Sequence, residues 1–235
     1  MVIAHQSYHP SKFQRVLLTL IGLSPLCSIA LGLFYFSSIW LTTVCMHATM
    51  IILPILYKLC FNSSTFEYTR GELKNAFHQG LIGLIFCSII VIGLMAPGTL
   101  LIYFFKSFAL FITGFSELTC NDFAIDCNNF LNPLMFAYYF TVVNPGVEEW
   151  FWRVFLVKSF PESWKWFVAL LYSEYHFFII LRFTGIIQAI FGFSFIVGVG
   201  ISLQLIKERY GLLSAVSAHM GFDLCAMIAW GLLLN

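Results

Sequence analysis

The chain has 235 residues, of which 60% are hydrophobic and only 10% are charged, and its formal net charge is +1. Because an ordinary soluble domain carries about 25% charged residues, this composition excludes a soluble globular protein. The chain has no basic tract that would indicate a nucleic-acid partner, and its seven cysteines include no CxxC pair that would indicate a zinc ribbon.

The apolar residues occur in blocks, and about 20 apolar residues are needed to cross a bilayer as a helix. The first block, 16–57, is too long for one span, so we divide it near Ser37 and Ser38. The predicted fold class is all-α, a polytopic transmembrane bundle of about seven helices without an internal repeat. The predicted spans are 16–36, 39–57, 80–105, 131–157, 164–181, 184–206 and 211–234.

The basic residues predict how this bundle is oriented, because cytoplasmic loops retain Lys and Arg. With the N-terminus inside, the outer segments hold only Lys106 and Arg182. We therefore predict a cytoplasmic N-terminus and an outer C-terminus. The outer loop 106–130 carries Cys120 and Cys127, for which both a disulfide and two free thiols remain open. The basic residues of the inner segments are Lys12, Arg15, Lys58, Arg70, Lys74, Lys158, Lys165, Lys207 and Arg209.

Ionisable residues at membrane depth are costly and mark functional sites by default. Glu149 and Arg153 have the i, i+4 spacing of a helical ion pair, for which we favour a structural role. Glu148 would then lie about 100° away around the helix. Asn144 and Pro145 precede this segment and predict a new helix that begins here, with Asn144 as its cap.

Three other polar residues are predicted to meet Glu148. His219 and Asp223 share one face of the seventh helix, and His176 shares a face of the fifth helix with Tyr172. At a rise of ~1.5 Å per residue, Glu148, His176, His219 and Asp223 all lie about 12 to 18 Å from the cytoplasmic ends of their helices. This similar depth indicates a single site. His47, in the second helix, has no evident partner, and we interpret it as a packed neutral imidazole.

These residues form three motifs in a familiar order. Glu148 to Arg153 reads EExxxR, Tyr172 to His176 is similar to FxxxH, and His219 to Asp223 reads HxxxN/D. In this order, on successive membrane helices, they resemble the CPBP intramembrane peptidase family. That family includes the type II CAAX prenyl endopeptidases, or Ras-converting enzymes, and bacterial relatives linked to bacteriocin processing or self-immunity. The resemblance covers 131–235, the expected peptidase core, and leaves 1–130 as an N-terminal region of three helices.

The resemblance implies a role for each motif residue. Glu148 would activate water together with His176, and His219 and Asp223 would lie at the oxyanion. Glu149 and Arg153 match positions that support the site, and Tyr172 replaces the usual Phe. Asp223 stands where many members carry Asn. Because an ionised Asp would repel an oxyanion, Asp223 is either protonated or serves only to hold His219.

The predicted function is therefore an intramembrane endopeptidase that hydrolyses a peptide bond with water activated by glutamate and histidine. Its expected partners are the bilayer and a peptide or protein substrate, with a lipidated C-terminus as one family option. We favour the bacterial inner membrane over the endoplasmic reticulum. We also favour chemistry without a cofactor, with zinc bound by Glu148, His176 and His219 as the alternative. The rival classes are a non-catalytic immunity or chaperone protein and an ion-coupled transporter.

Overall fold

The computed structural model describes residues 10–61, 76–95, 131–183 and 185–233. Every regular element in these ranges is helical, which confirms the predicted all-α fold. The first three helices are α1 (Lys12–Tyr35), α2 (Ile39–Phe61) and α3 (Ala76–Met95). The remaining helices are α4 (131–159), α5 (Lys165–Phe183), α6 (Ile186–Tyr210) and α7 (Leu212–Leu233).

The predicted break between the first two spans is confirmed. Between α1 and α2 the chain reverses at Ser37, whose φ of 51° is unusual for a residue other than glycine. The reversal brings the two helices into close contact at Gly32, where an added Cβ would lie 2.5 Å from the Thr42 Cα. Only glycine fits this approach without displacing the backbone of α2.

Several predicted features lie outside the described residues. They are the part of the third span beyond Met95, the outer loop 106–130, and the pair Cys120 and Cys127. The cysteine pairing therefore stays a prediction.

The surface and interior of the described bundle reverse the pattern of a soluble protein. Large apolar side chains are exposed on several helices; Leu59 is 75% and Phe191 is 66% exposed. Charged and polar side chains, by contrast, are buried between α2, α4 and α7. Within the described ranges, four helices are long and apolar enough to cross a membrane, and Leu212–Met227 of α7 is a shorter apolar helix. The exposed apolar surface is what a lipid environment requires.

The helices pack so that α4 lies in the middle of the bundle. Its large side chains Phe151, Trp152 and Phe155 are fully buried and join α1, α2 and α5 in one apolar core. On its other side α4 contacts α7, which also packs along α3. As a result, the acidic residues of α4 lie between the apolar core and α7.

Candidate active site

The backbone of α4 is irregular on both sides of its acidic residues. The segment Asn144–Glu149 is α-helical, and it lies between π-helical stretches at Tyr139–Val143 and Trp150–Leu156. The prediction of a new helix at Asn144 is wrong, because Val143 already has helical dihedral angles and no side chain caps the segment. A local π-helical adjustment lets a membrane helix continue through a proline, here Pro145. Such π-helical turns are frequent at functional sites.

Glu148 is the acid at the centre of a cluster of polar side chains that includes Tyr175, His219 and Asp223. Only 2% of its surface is exposed. The Tyr175 hydroxyl donates a hydrogen bond to Glu148 Oε2 over 2.6 Å. The same oxygen lies 3.9 Å from His219 Nε2, which is beyond hydrogen-bond length. A short hydrogen bond of this kind fixes the carboxylate and leaves its other oxygen for additional contacts.

His219 lies between two carboxylates from different helices. Its Nδ1 is 3.0 Å from Glu149 Oε1, and its Nε2 is 3.6 Å from Asp223 Oδ1. Because a carboxylate at Nδ1 sets the ring orientation, Glu149 orients His219 from the side opposite to Asp223. The Tyr172 hydroxyl lies 3.4 Å from Nε2, so that nitrogen faces Tyr172, Glu148 and Asp223.

The predicted ion pair between Glu149 and Arg153 is present. Arg153 Nε lies 3.3 Å from Glu149 Oε2, and both side chains are almost completely buried. The guanidinium carbon lies 4.7 Å from the centre of the Tyr172 ring, a distance at which a cation–π contact forms. Arg153 thus compensates the charge of Glu149 while Glu149 holds His219. Glu148 and Glu149 both lie within 4 Å of the His219 ring, at 3.9 and 3.0 Å, although the helical repeat predicts different faces for them.

His176 lies one residue after Tyr175 on α5. Its Nδ1 donates a hydrogen bond to the backbone oxygen of Tyr172 over 3.0 Å, since a carbonyl oxygen only accepts. In the neutral ring, Nε2 is then the basic nitrogen. The ring packs against that of Tyr175, with their centres 4.0 Å apart. His176 is therefore next to the tyrosine that binds Glu148, whereas His219 approaches Glu148 itself.

Three residues of the cluster were missed or misread from sequence. Asn144 is not a helix cap; its Nδ2 donates to Asp223 Oδ2 over 3.2 Å. His47 has a partner, since its Nε2 lies 2.9 Å from Asn144 Oδ1. Tyr175, which binds Glu148, was not selected at all. Buried Tyr and Asn side chains usually need polar partners, and this rule could have identified Tyr175 and Asn144 beforehand.

The residues predicted for zinc are Glu148, His176 and His219. Zinc ligands of the O and N type lie about 2.0–2.2 Å from a common point. Within the described ranges, no three His, Cys, Asp or Glu side chains are grouped in this way. Glu148, His176 and His219 therefore do not fit a metal centre in this arrangement.

The fold and the buried cluster together define an integral membrane protein that carries acid and imidazole groups in its interior. Residues 130–225 match the model of the family described as Type II CAAX prenyl endopeptidase Rce1-like. The match covers part of the chain and supports the resemblance seen in the sequence motifs. The family indicates a protease that acts on peptide or protein substrates in a membrane. Comparisons with curated proteins and with solved structures gave no match.

Proposed function

We propose that this chain hydrolyses a peptide bond within the membrane with water activated by Glu148. The observation that carries the proposal is the convergence of α4, α5 and α7, where Tyr175 fixes Glu148 and His219 lies 3.9 Å from the same carboxylate oxygen. Amide hydrolysis needs a base for water and a donor for the tetrahedral oxyanion. Glu148 and His219 supply these two functions from different helices.

The proposed reaction begins at Glu148. Glu148 accepts a proton from water, and the hydroxide adds to the carbonyl carbon of the substrate. His219 Nε2 donates a hydrogen bond to the oxyanion, while Glu149 at Nδ1 stabilises the charge on the ring. When the tetrahedral intermediate collapses, the C–N bond breaks and Glu148 returns its proton to the leaving amine. His176, whose Nε2 is basic, assists Glu148 in holding the water.

Asp223 is given a positioning role in this scheme. Its Oδ2 accepts a hydrogen bond from Asn144, and its Oδ1 lies 3.6 Å from His219 Nε2. These contacts support the alternative in which Asp223 holds His219 over the one in which a protonated Asp223 contacts the oxyanion itself.

We further propose a substrate with a prenylated C-terminal CAAX sequence, on the basis of the family match. The test uses purified protein in proteoliposomes with a farnesylated, internally quenched CAAX peptide and an unmodified peptide of the same sequence. We expect cleavage of the farnesylated peptide and little or no cleavage of the unmodified one. Equal cleavage of both peptides would reject the lipid requirement and leave peptide hydrolysis intact.

The matched variants for this test are Glu148→Gln and Glu174→Gln. Glu174 is a partly buried carboxylate on the same helix as His176 and belongs to none of the contacts described above. Glu148→Gln is expected to remove cleavage, and Glu174→Gln to retain it. Wild-type rates for Glu148→Gln would end the proposal that this residue is the base.

We propose that the reaction requires no bound metal. The support is the spacing of the side chains, since within the described ranges no three His, Cys, Asp or Glu side chains are close enough together to share a metal ion. Cleavage is expected to continue after prolonged treatment with a strong chelator. Loss of cleavage that is restored by added zinc would contradict this proposal.

The orientation is also proposed, with a cytoplasmic N-terminus and an outer C-terminus. The excess of basic residues in the predicted inner segments supports it. Reporter proteins that are active on only one side of the membrane, fused after Phe61 and at the C-terminus, would test it. Activity of the C-terminal fusion on the cytoplasmic side would reject the seven-span orientation.

A further inference from the structure

His47 connects the N-terminal half of the chain to the cluster. It lies on α2, outside the region that matches the family, and only 4% of its surface is exposed. Its Nε2 is 2.9 Å from Asn144 Oδ1, and its Nδ1 is 2.5 Å from the Tyr139 hydroxyl. We propose that His47 and Asn144 are positioning residues for Asp223 and thereby for His219, so that α2 completes the site. This inference rests on the proposed peptidase function.

The direction of each hydrogen bond in this chain of contacts is determined by the next one. A carboxylate only accepts, so the Asn144 amide group directs its NH₂ to Asp223 and its oxygen to His47. Because an amide oxygen also only accepts, His47 must carry its proton on Nε2. In the neutral ring, Nδ1 then accepts from the Tyr139 hydroxyl. The amide orientation that suits Asp223 therefore requires a donor at His47 Nε2.

The contact with Asn144 determines which oxygen of Asp223 faces His219. With Oδ2 held by Asn144, Oδ1 faces His219 Nε2 at 3.6 Å. Glu149 already holds the opposite ring nitrogen at 3.0 Å. If the Asn144 amide turned around, its oxygen would face the Asp223 carboxylate and repel it. The position of Asp223 relative to His219 thus depends on a donor on α2.

Two conservative substitutions of His47 separate this role from simple packing. The amide nitrogen of glutamine reaches about the position of the histidine Nε2, whereas that of asparagine reaches about the position of Nδ1. His47→Gln therefore keeps a donor for Asn144. His47→Asn keeps only a polar group at the position of Nδ1, which faces Tyr139. Because glutamine is also the larger residue, the histidine resonances, which report the hydrogen bond and not the filled volume, complete the comparison.

The first measurement is the cleavage of the farnesylated CAAX peptide in proteoliposomes. We expect His47→Asn to lower kcat about tenfold with KM within about twofold, and His47→Gln to restore most of that loss. Asn144→Leu should lower kcat as much as His47→Asn, and the double variant should lower it no more than either single change, because both break the same connection. Equal kcat values for His47→Asn and His47→Gln would overturn the inference.

The second measurement does not depend on turnover. In protein labelled with ¹⁵N at histidine and held in detergent micelles, we expect the Nε2–H tautomer for His47. The ring resonances of His219 should shift in His47→Asn and Asn144→Leu, and much less in His47→Gln. A proton on Nδ1 of His47, or unchanged His219 resonances in all variants, would overturn the inference.

The two measurements also keep the inference separate from the proposed function. If the wild type cleaves no peptide while the His219 resonances respond as expected, the peptidase proposal fails and the positioning of His219 by α2 stands. If cleavage requires Glu148 but ignores the difference between His47→Asn and His47→Gln, the peptidase proposal stands and the role of His47 is rejected.

Discussion

Two groups of side chains in this bundle each pair carboxylates with basic groups, one in the buried interior and the other at the surface. One is Glu149 with Arg153 and His219, in which all three side chains are at most 3% exposed. The other joins Lys165 to Glu162 and Glu208 over 2.8 and 3.5 Å, and Glu162 is 81% exposed. Water can replace a lost partner in the second group but not in the first.

The comparison explains why the proposed chemistry uses the buried group. A buried ion pair is weak evidence for stability, since removing both charges from water is costly. Its benefit is orientation, because Arg153 holds Glu149 and Glu149 holds the ring of His219. The exposed group joins α5 to the end of α6.

The largest expected effect is on stability. Arg153→Met leaves the Glu149 carboxylate buried without its cation and should lower the free energy of unfolding by about 3–5 kcal/mol. The matched control is Arg209→Met, because Arg209 also lies over a tyrosine ring, at 5.5 Å, but is exposed at the end of α6. Unfolding in mixed micelles measures both variants. If Arg153→Met lowers the free energy of unfolding no more than Arg209→Met does, the distinction between the two groups is contradicted.

The next effect is on turnover. His176→Ala removes the imidazole that packs on Tyr175 beside Glu148 and should lower kcat about 100-fold, in the range for loss of a general acid–base group. His78→Ala, a change at an exposed histidine of α3, is the control and should keep wild-type cleavage. If the two variants cleave the peptide equally well, His176 has no part in the chemistry.

A smaller effect is expected from the hydroxyl that holds the acid. Tyr175→Phe removes the 2.6 Å hydrogen bond to Glu148 and should lower kcat by about tenfold or more, since a hydrogen bond to a charged group is worth about 1.5–3 kcal/mol. Tyr138→Phe changes an exposed tyrosine of α4 and should have no effect on cleavage. An unchanged rate for Tyr175→Phe would mean that Glu148 is positioned by other contacts.

The smallest effect is predicted for the exposed group. Lys165→Met breaks both of its ion pairs, and neither peptide cleavage nor the thermal midpoint should change measurably, because exposed pairs contribute little. Raising the salt concentration should likewise leave the wild type unchanged. A clear loss of stability for Lys165→Met would show that the two groups are more alike than their exposure suggests.

The elements that could be predicted are those whose signal is local. The break near Ser37, the start of α2 and the spacing of Glu149 and Arg153 follow from runs of apolar residues and from the helical repeat. The new helix at Pro145 was predicted wrongly for a related reason. A proline signals a helix start by local rules, whereas within a membrane bundle a π-helical stretch lets the helix continue.

The sequence by itself determined a helical membrane bundle and the acidic and imidazole groups of its interior, because apolar length and polar spacing are properties of the chain alone. Only the tertiary structure decided that Glu149 and not Asp223 holds Nδ1 of His219, that Tyr175 binds Glu148, and that His47 reaches Asn144. These contacts join residues on different helices. They depend on the rotation of each helix about its own axis, which packing of the whole bundle sets.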